Sequence, residues 1–153
     1  MKNNYWSYNN LIRATNKEME DLVRYEIDMF RETCRQLKLK SKPKSVFEKN
    51  LFIESLAIHT RLLVEFFYNK KKYPNDLVAQ DLLPTSKDWV RIRPLKTQSL
   101  EDVTRKADKQ LAHLSRWRFK IERDCRKRWD YITIEQDMER IIQAFEGAIG
   151  KEF

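Results

Sequence analysis

The chain has 153 residues, with 31 lysines and arginines against 23 acidic side chains and a net charge of +8. That length suits a single domain, residues 1–153, with a core large enough to need neither disulfide nor metal. Only two glycines occur, Gly147 and Gly150, which excludes a glycine-rich phosphate loop of the Walker or dinucleotide-binding kind.

Few glycines, abundant Leu, Glu, Lys and Arg, and long periodic segments predict an all-α protein. The first helix is expected from about Asn10 to Leu37. Met19, Leu22, Val23, Ile27, Phe30, Cys34 and Leu37 form its apolar stripe. Thr15 with Glu18 offers a second starting point inside it, which would leave Tyr5, Trp6 and Tyr8 in a separate N-terminal turn. The link LKLKSKPK, Leu37–Lys44, contains Pro43 and reads as a solvated connector rather than a strand.

Ser45 and Glu48 open the second helix as a capping box. Phe52, Leu56, His59, Leu63 and Phe66 then recur at steps of four and three and line one seam. Leu51, Leu62 and Phe67 are expected to widen that seam into a broad buried face. His59 is its one polar member. Beyond Tyr68, Pro74, Pro84 and Pro94 exclude a continuous helix. This long connector still holds much apolar surface, so a helical turn near Asn75–Leu82 is expected, with Trp89 anchoring the rest to the bundle.

The third helix is expected to start at Ser99, with Asp102 completing its box, and to run as far as Trp129. The last is expected after Thr133, paired with Gln136, with Ile134, Met138, Ile141, Ile142, Phe145 and Ile149 inward. The predicted fold is an antiparallel four-helix bundle with a long Pro-containing connector between the second and third helices.

Charge is unevenly placed. Residues 38–72 carry +6 and residues 105–128 carry +7, whereas residues 129–153 carry −4. Within the second basic block Lys109, His113, Arg116, Lys120, Arg123 and Lys127 recur at steps of four and three, so they share one helix face. Such a row can follow a phosphate backbone, and Trp117, Phe119 and Trp129 nearby can stack on bases. Lys109, Arg116, Lys120, Arg123 and Lys127 are therefore the candidate nucleic-acid contacts. The bland alternative is a solvated basic face.

His59 and His113 are the only imidazoles. In an antiparallel pair they fall about four residues apart in level, roughly 6 Å of axial rise. With Arg61 or Arg118 they are candidates for an acid–base or anion site. As core histidines they would instead each bond a neighbour. A di-iron bundle needs Glu-x-x-His, but Leu56 and Gln110 hold the Glu positions, so no metal or cofactor is expected. Cys34 and Cys125 are isolated and read as reduced packing residues. The opening MKNNYWSYNN lacks the apolar core of a signal peptide, and no segment reads as a membrane span. The expectation is a cytoplasmic protein.

The runs Glu54–Tyr68, ESLAIHTRLLVEFFY, and Lys109–Arg118, KQLAHLSRWR, resemble blocks of small bacterial helical proteins. Their layout over Val46–Phe145, a basic helical bundle with His and Arg on inner helices, is similar to the HEPN superfamily. That resemblance implies an RNase or a nucleotide-binding component of toxin–antitoxin and phage-defence systems. The sequence departs from the superfamily pattern of Arg, four to six residues, then His. Arg105 precedes His113 with seven residues between, and no Arg stands suitably before His59. The resemblance therefore implies a non-catalytic member. The sequence reading is a non-enzymatic bundle binding RNA, DNA or a protein through its basic face, with a homodimer as a further expectation. Its alternative is a HEPN-like RNase using His59 or His113 with Arg.

Overall fold

In the computed structural model, which describes residues 16–39, 45–110 and 129–150, all regular structure is helical. Helix α1 spans Asn16–Lys38 and buries Val23, Ile27, Phe30 and Cys34 at steps of four, three and four. Arg35 and Lys38 in its last turn sit where the helix dipole favours cations. Leu22, expected in the stripe, is instead exposed. The helix start predicted at Asn10 lies outside the described residues.

Helix α2, Val46–Tyr68, begins with the predicted box: Glu48 N–H donates to Ser45 Oγ at 3.1 Å, and Ser45 N–H donates to Glu48 Oε2 at 2.8 Å. Leu56, His59, Leu63 and Phe66 point inward, and Phe52 is half-buried. The widening of the seam differs from expectation. Phe67 is buried, but Leu51 and Leu62 are exposed, and Ala57, Thr60 and Val64 take the inner positions. At about 100° per residue, Leu51 and Leu62 fall across the helix from the buried face.

Residues 69–97 form neither one continuous helix nor a free linker. A 3-10 turn forms at Ala79–Leu82, the end of the predicted Asn75–Leu82 turn. Helix α3, Trp89–Ile92, is a short helix beyond the four expected, the fifth among the described residues, and is capped by Asp88 Oδ1, which accepts from Val90 N–H at 3.0 Å. Trp89 is the anchor, only 2% exposed. Its ring lies 5.7 Å from Phe67 and 5.5 Å from Phe145, and Phe66 completes a cluster of tilted and edge-on aromatics.

Helix α4 spans Gln98–Gln110 and buries Leu100, Val103 and Ala107. Thr97, rather than Ser99, supplies its first-turn acceptor, for Leu100 N–H at 3.4 Å. Asp102 is engaged by Gln98 and Arg105 instead. Helix α5, Tyr131–Ile149, starts three residues earlier than expected. Asp130 caps it by accepting from both the N–H and the hydroxyl of Thr133, at 3.1 and 2.8 Å. Thr133 is therefore capped rather than capping. Gly150, at φ 75°, ends the helix in the left-handed region that glycine adopts without a Cβ clash.

Helix α2 packs between α1 and α4 and also touches α5, which closes against both α1 and α4. The cross-links pair early residues with late ones. Glu26 meets His59 and Thr33 meets Ser55, while Arg31 meets Glu139 and Glu146, and Lys38 meets Glu135. No helix among the described residues is long and apolar enough to cross a membrane.

Candidate functional site

Seam positions on two neighbouring helices place His59 against Glu26. Val23, Ile27 and Phe30 hold α1 down on the core, which brings Glu26 to the level of Leu56 and Leu63 on α2. The His59 Nδ1 to Glu26 Oε2 distance is 2.7 Å, and the two side chains are 11% and 18% exposed. The Tyr25 ring meets the imidazole edge-on at 6.1 Å between centroids. A carboxylate at that distance fixes the ring's orientation and consumes one nitrogen. Glu26 carried a signal in the sequence: like His59, it is a polar residue inside an apolar seam.

Arg61 points elsewhere. Its Nε donates to Glu65 Oε1 at 2.9 Å, and its Nη1 lies 2.8 Å from Asp108 Oδ1 of α4. Two residues along a helix is about 200° of rotation, so His59 faces α1 and Arg61 faces α4. The structure does not bring the two together as an acid–base pair. Glu26, Arg61 and Glu65 all line a cleft of about 690 Å³ between α1, the last turns of α2 and residues 70–78, whereas His59 does not. Leu22, Leu62, Phe66 and Leu77 give it an apolar wall. The wall presents Glu26 rather than His59.

Beyond this cleft the outer side of α2 is apolar. Phe47 is 72% exposed, Leu51 and Ile58 are each 48%, and Leu62 is 42%. On the adjoining turn of α1, Leu22 and Tyr25 are 55% and 53% exposed. A bundle helix normally turns polar residues outward. Here α2 is apolar on both sides, with only one side in the core.

The C-terminal end of α2 is closed by the connector. Phe67 C=O accepts from Trp89 Nε1 at 2.7 Å and from Arg93 Nη1 at 2.9 Å. Tyr68 C=O accepts from the same Arg93 nitrogen at 3.2 Å, and the guanidinium lies 4.9 Å from the Tyr68 ring centre. These donors satisfy carbonyls that a helix end leaves without partners. Burial raises the Tyr68 phenol above its usual range, and its hydroxyl donates to Pro94 C=O at 2.9 Å.

Of the predicted nucleic-acid contacts, Lys109 falls within α4. Arg116, Lys120, Arg123 and Lys127 lie outside the described residues, as do His113, Arg118 and Cys125. Burial pushes the Cys34 thiol up to about 12, which suppresses the thiolate that nucleophilic chemistry needs. Among the described residues no group of three or more His, Cys, Asp or Glu is placed to hold a metal ion. No family model, curated protein or solved structure matches the chain.

Proposed function

We propose that this chain is a non-enzymatic cytoplasmic binding protein, an antiparallel four-helix bundle whose outer α2 face receives a protein partner. The order of the cross-links between α1, α2 and α5 supports the antiparallel arrangement, with residues 69–97 as the long connector. The observation that carries the function is the exposed row Phe47, Leu51, Ile58 and Leu62. Large apolar side chains clustered on one exposed helix side mark interaction sites, because leaving them in water is unfavourable. His59 supports the same reading, since Glu26 holds its Nδ1 as a link between helices. The chain then stands nearest the non-catalytic side of the HEPN-like resemblance.

A photo-crosslinking residue at position 58 tests this in cells that express the protein. Discrete protein adducts are expected there, absent when the same residue is placed at the exposed position Gln143 of α5 and lost when Phe47 becomes Asp. Absence of adducts at position 58 refutes the reading.

A second reading rests on the +7 charge of residues 105–128. In it Lys109, Arg116, Lys120, Arg123 and Lys127 contact the phosphates of RNA or DNA. Gel retardation at low salt is expected, weakened for all sequences by Arg116→Glu and Arg123→Glu, with a flatter salt dependence. No retardation at tens of micromolar protein ends that reading. RNA cleavage lost in His59→Ala or His113→Ala, with the fold intact, would instead favour the RNase alternative.

A further inference from the structure

The apolar row on α2 has a symmetry that a surface for an unrelated partner does not need. Phe47 and Leu62 are equidistant in sequence from the Glu54–Ser55 bond, and so are Leu51 and Ile58. All four lie on the same side of the helix, within about 60° of one another at 100° per residue. A two-fold axis through the Glu54–Ser55 level maps this row onto itself with the direction reversed. We infer that the occupant of the α2 face is a second copy of this chain, paired α2 to α2 in antiparallel register. This inference rests on the proposed role of that face and names its partner.

In this register Phe47 of each copy meets Leu62 of the other, and Leu51 meets Ile58. An isologous dimer requires such self-complementarity, because the same patch must serve both sides. The ends of the row explain the cleft. Leu62 and Leu22 belong to its apolar wall, so in this register Phe47 of the partner subunit reaches the side of the cleft as an aromatic anchor. Anchors of this kind dominate interface energetics.

The area is adequate. With about 200 Å² for each fully exposed large side chain, the four α2 residues with Leu22 and Tyr25 present on the order of 600 Å² per copy. Pairing then buries roughly 1,200 Å² in total, the lower end of specific interfaces. A reversible dimer in the micromolar range is expected rather than an obligate one. The axis brings the two Glu54 carboxylates near each other on the rim, so Glu54→Gln tightens association by less than about tenfold.

Sedimentation velocity on the full chain up to about 100 µM tests the state, since association follows mass action. The wild type is expected to pass from monomer to dimer, and Phe47→Ala to weaken this about 30-fold. Phe47→Asp and Ile58→Asp are expected to be monomeric with unchanged far-ultraviolet circular dichroism. Register is read by cysteine crosslinking in a Cys125→Ser background, with copper phenanthroline as oxidant. Glu54→Cys places two thiols beside the axis and is expected to form an intermolecular disulfide. Asn50→Cys places them about 13 Å apart along the helices, beyond disulfide reach.

A wild type that stays monomeric overturns the second-copy inference, while adducts to another protein at position 58 would leave the proposed role of the face standing. A dimer unaffected by Phe47→Asp and Ile58→Asp also overturns it. So does Asn50→Cys crosslinking as fast as Glu54→Cys.

Discussion

Replacing His59 by leucine separates a structural histidine from a chemical one. Leucine nearly fills the imidazole volume, so the main loss is the 2.7 Å contact to Glu26. The carboxylate, only 18% exposed, then faces hydrocarbon on its α2 side. Leaving a mostly buried charged acceptor without that donor costs about 2–3 kcal/mol. Glu26→Met alone strands the imidazole, for about 1–2 kcal/mol. The double variant Glu26→Met/His59→Leu removes both polar partners and fills the space with hydrocarbon. It is expected within about 1 kcal/mol of wild type, because apolar replacement of both partners in a buried pair is close to neutral. Urea unfolding followed by circular dichroism at fixed protein concentration measures all four corners. With a slope near 2 kcal/mol per molar urea, His59→Leu lowers the midpoint by about 1–1.5 M. A double variant that loses the sum of the two single costs refutes the reasoning, since the pair would then not be coupled.

The closure of α2 predicts a second non-additivity. Trp89→Phe and Arg93→Met each leave Phe67 C=O one donor and cost about 1–2 kcal/mol; together they orphan it, so the double variant loses about 1 kcal/mol more than the sum. Strict additivity in urea melts contradicts that. Cys34, buried with its thiol raised to about 12, is expected to resist iodoacetamide at about pH 8 in the folded protein and to react in urea. Peptide mapping that finds native Cys34 alkylated at the rate of a free thiol refutes it. Acid stability follows from three depressed carboxylates. Hydrogen bonds from Arg35 and Gln36 hold Glu32 at about 2, and backbone N–H donors hold Asp76 and Asp130 below their usual range. A folded pKa below the unfolded one adds stability that is complete above about pH 4.5 and lost as pH falls toward 2. Urea midpoints should therefore drop across that window, less steeply in Asp130→Ala, and midpoints flat from pH 5 to pH 2.5 would refute the assignment.

Much of the fold is written in local patterns. The Ser45–Glu48 box, the inward steps of α1 and α5, and the anchoring role of Trp89 all follow from spacing and residue type. Boundaries were less legible where two capping patterns overlap. Thr133 with Gln136 fits the capping-box pattern, and Asp130 three residues earlier is an equally good N-cap residue on paper. The structure chooses Asp130, whose carboxylate accepts both the N–H and the hydroxyl of Thr133. The same competition moved the first-turn acceptor of α4 from Ser99 to Thr97, and the helix begins at Gln98.

The candidate site divides along a similar line. The sequence determined that His59 is the odd member of an apolar seam on α2. It did not name Glu26 as the partner of His59, because that pairing depends on how α1 docks. It named the Leu56–His59–Leu63–Phe66 seam as the core side of α2 but not the width of that side, since Leu51 and Leu62 were expected inside it and are exposed. Only the tertiary structure decided that. With α1 on one flank and α4 on the other, Leu56, Leu63 and Phe67 fill the interior, and Phe47, Leu51, Ile58 and Leu62 are left to the surface.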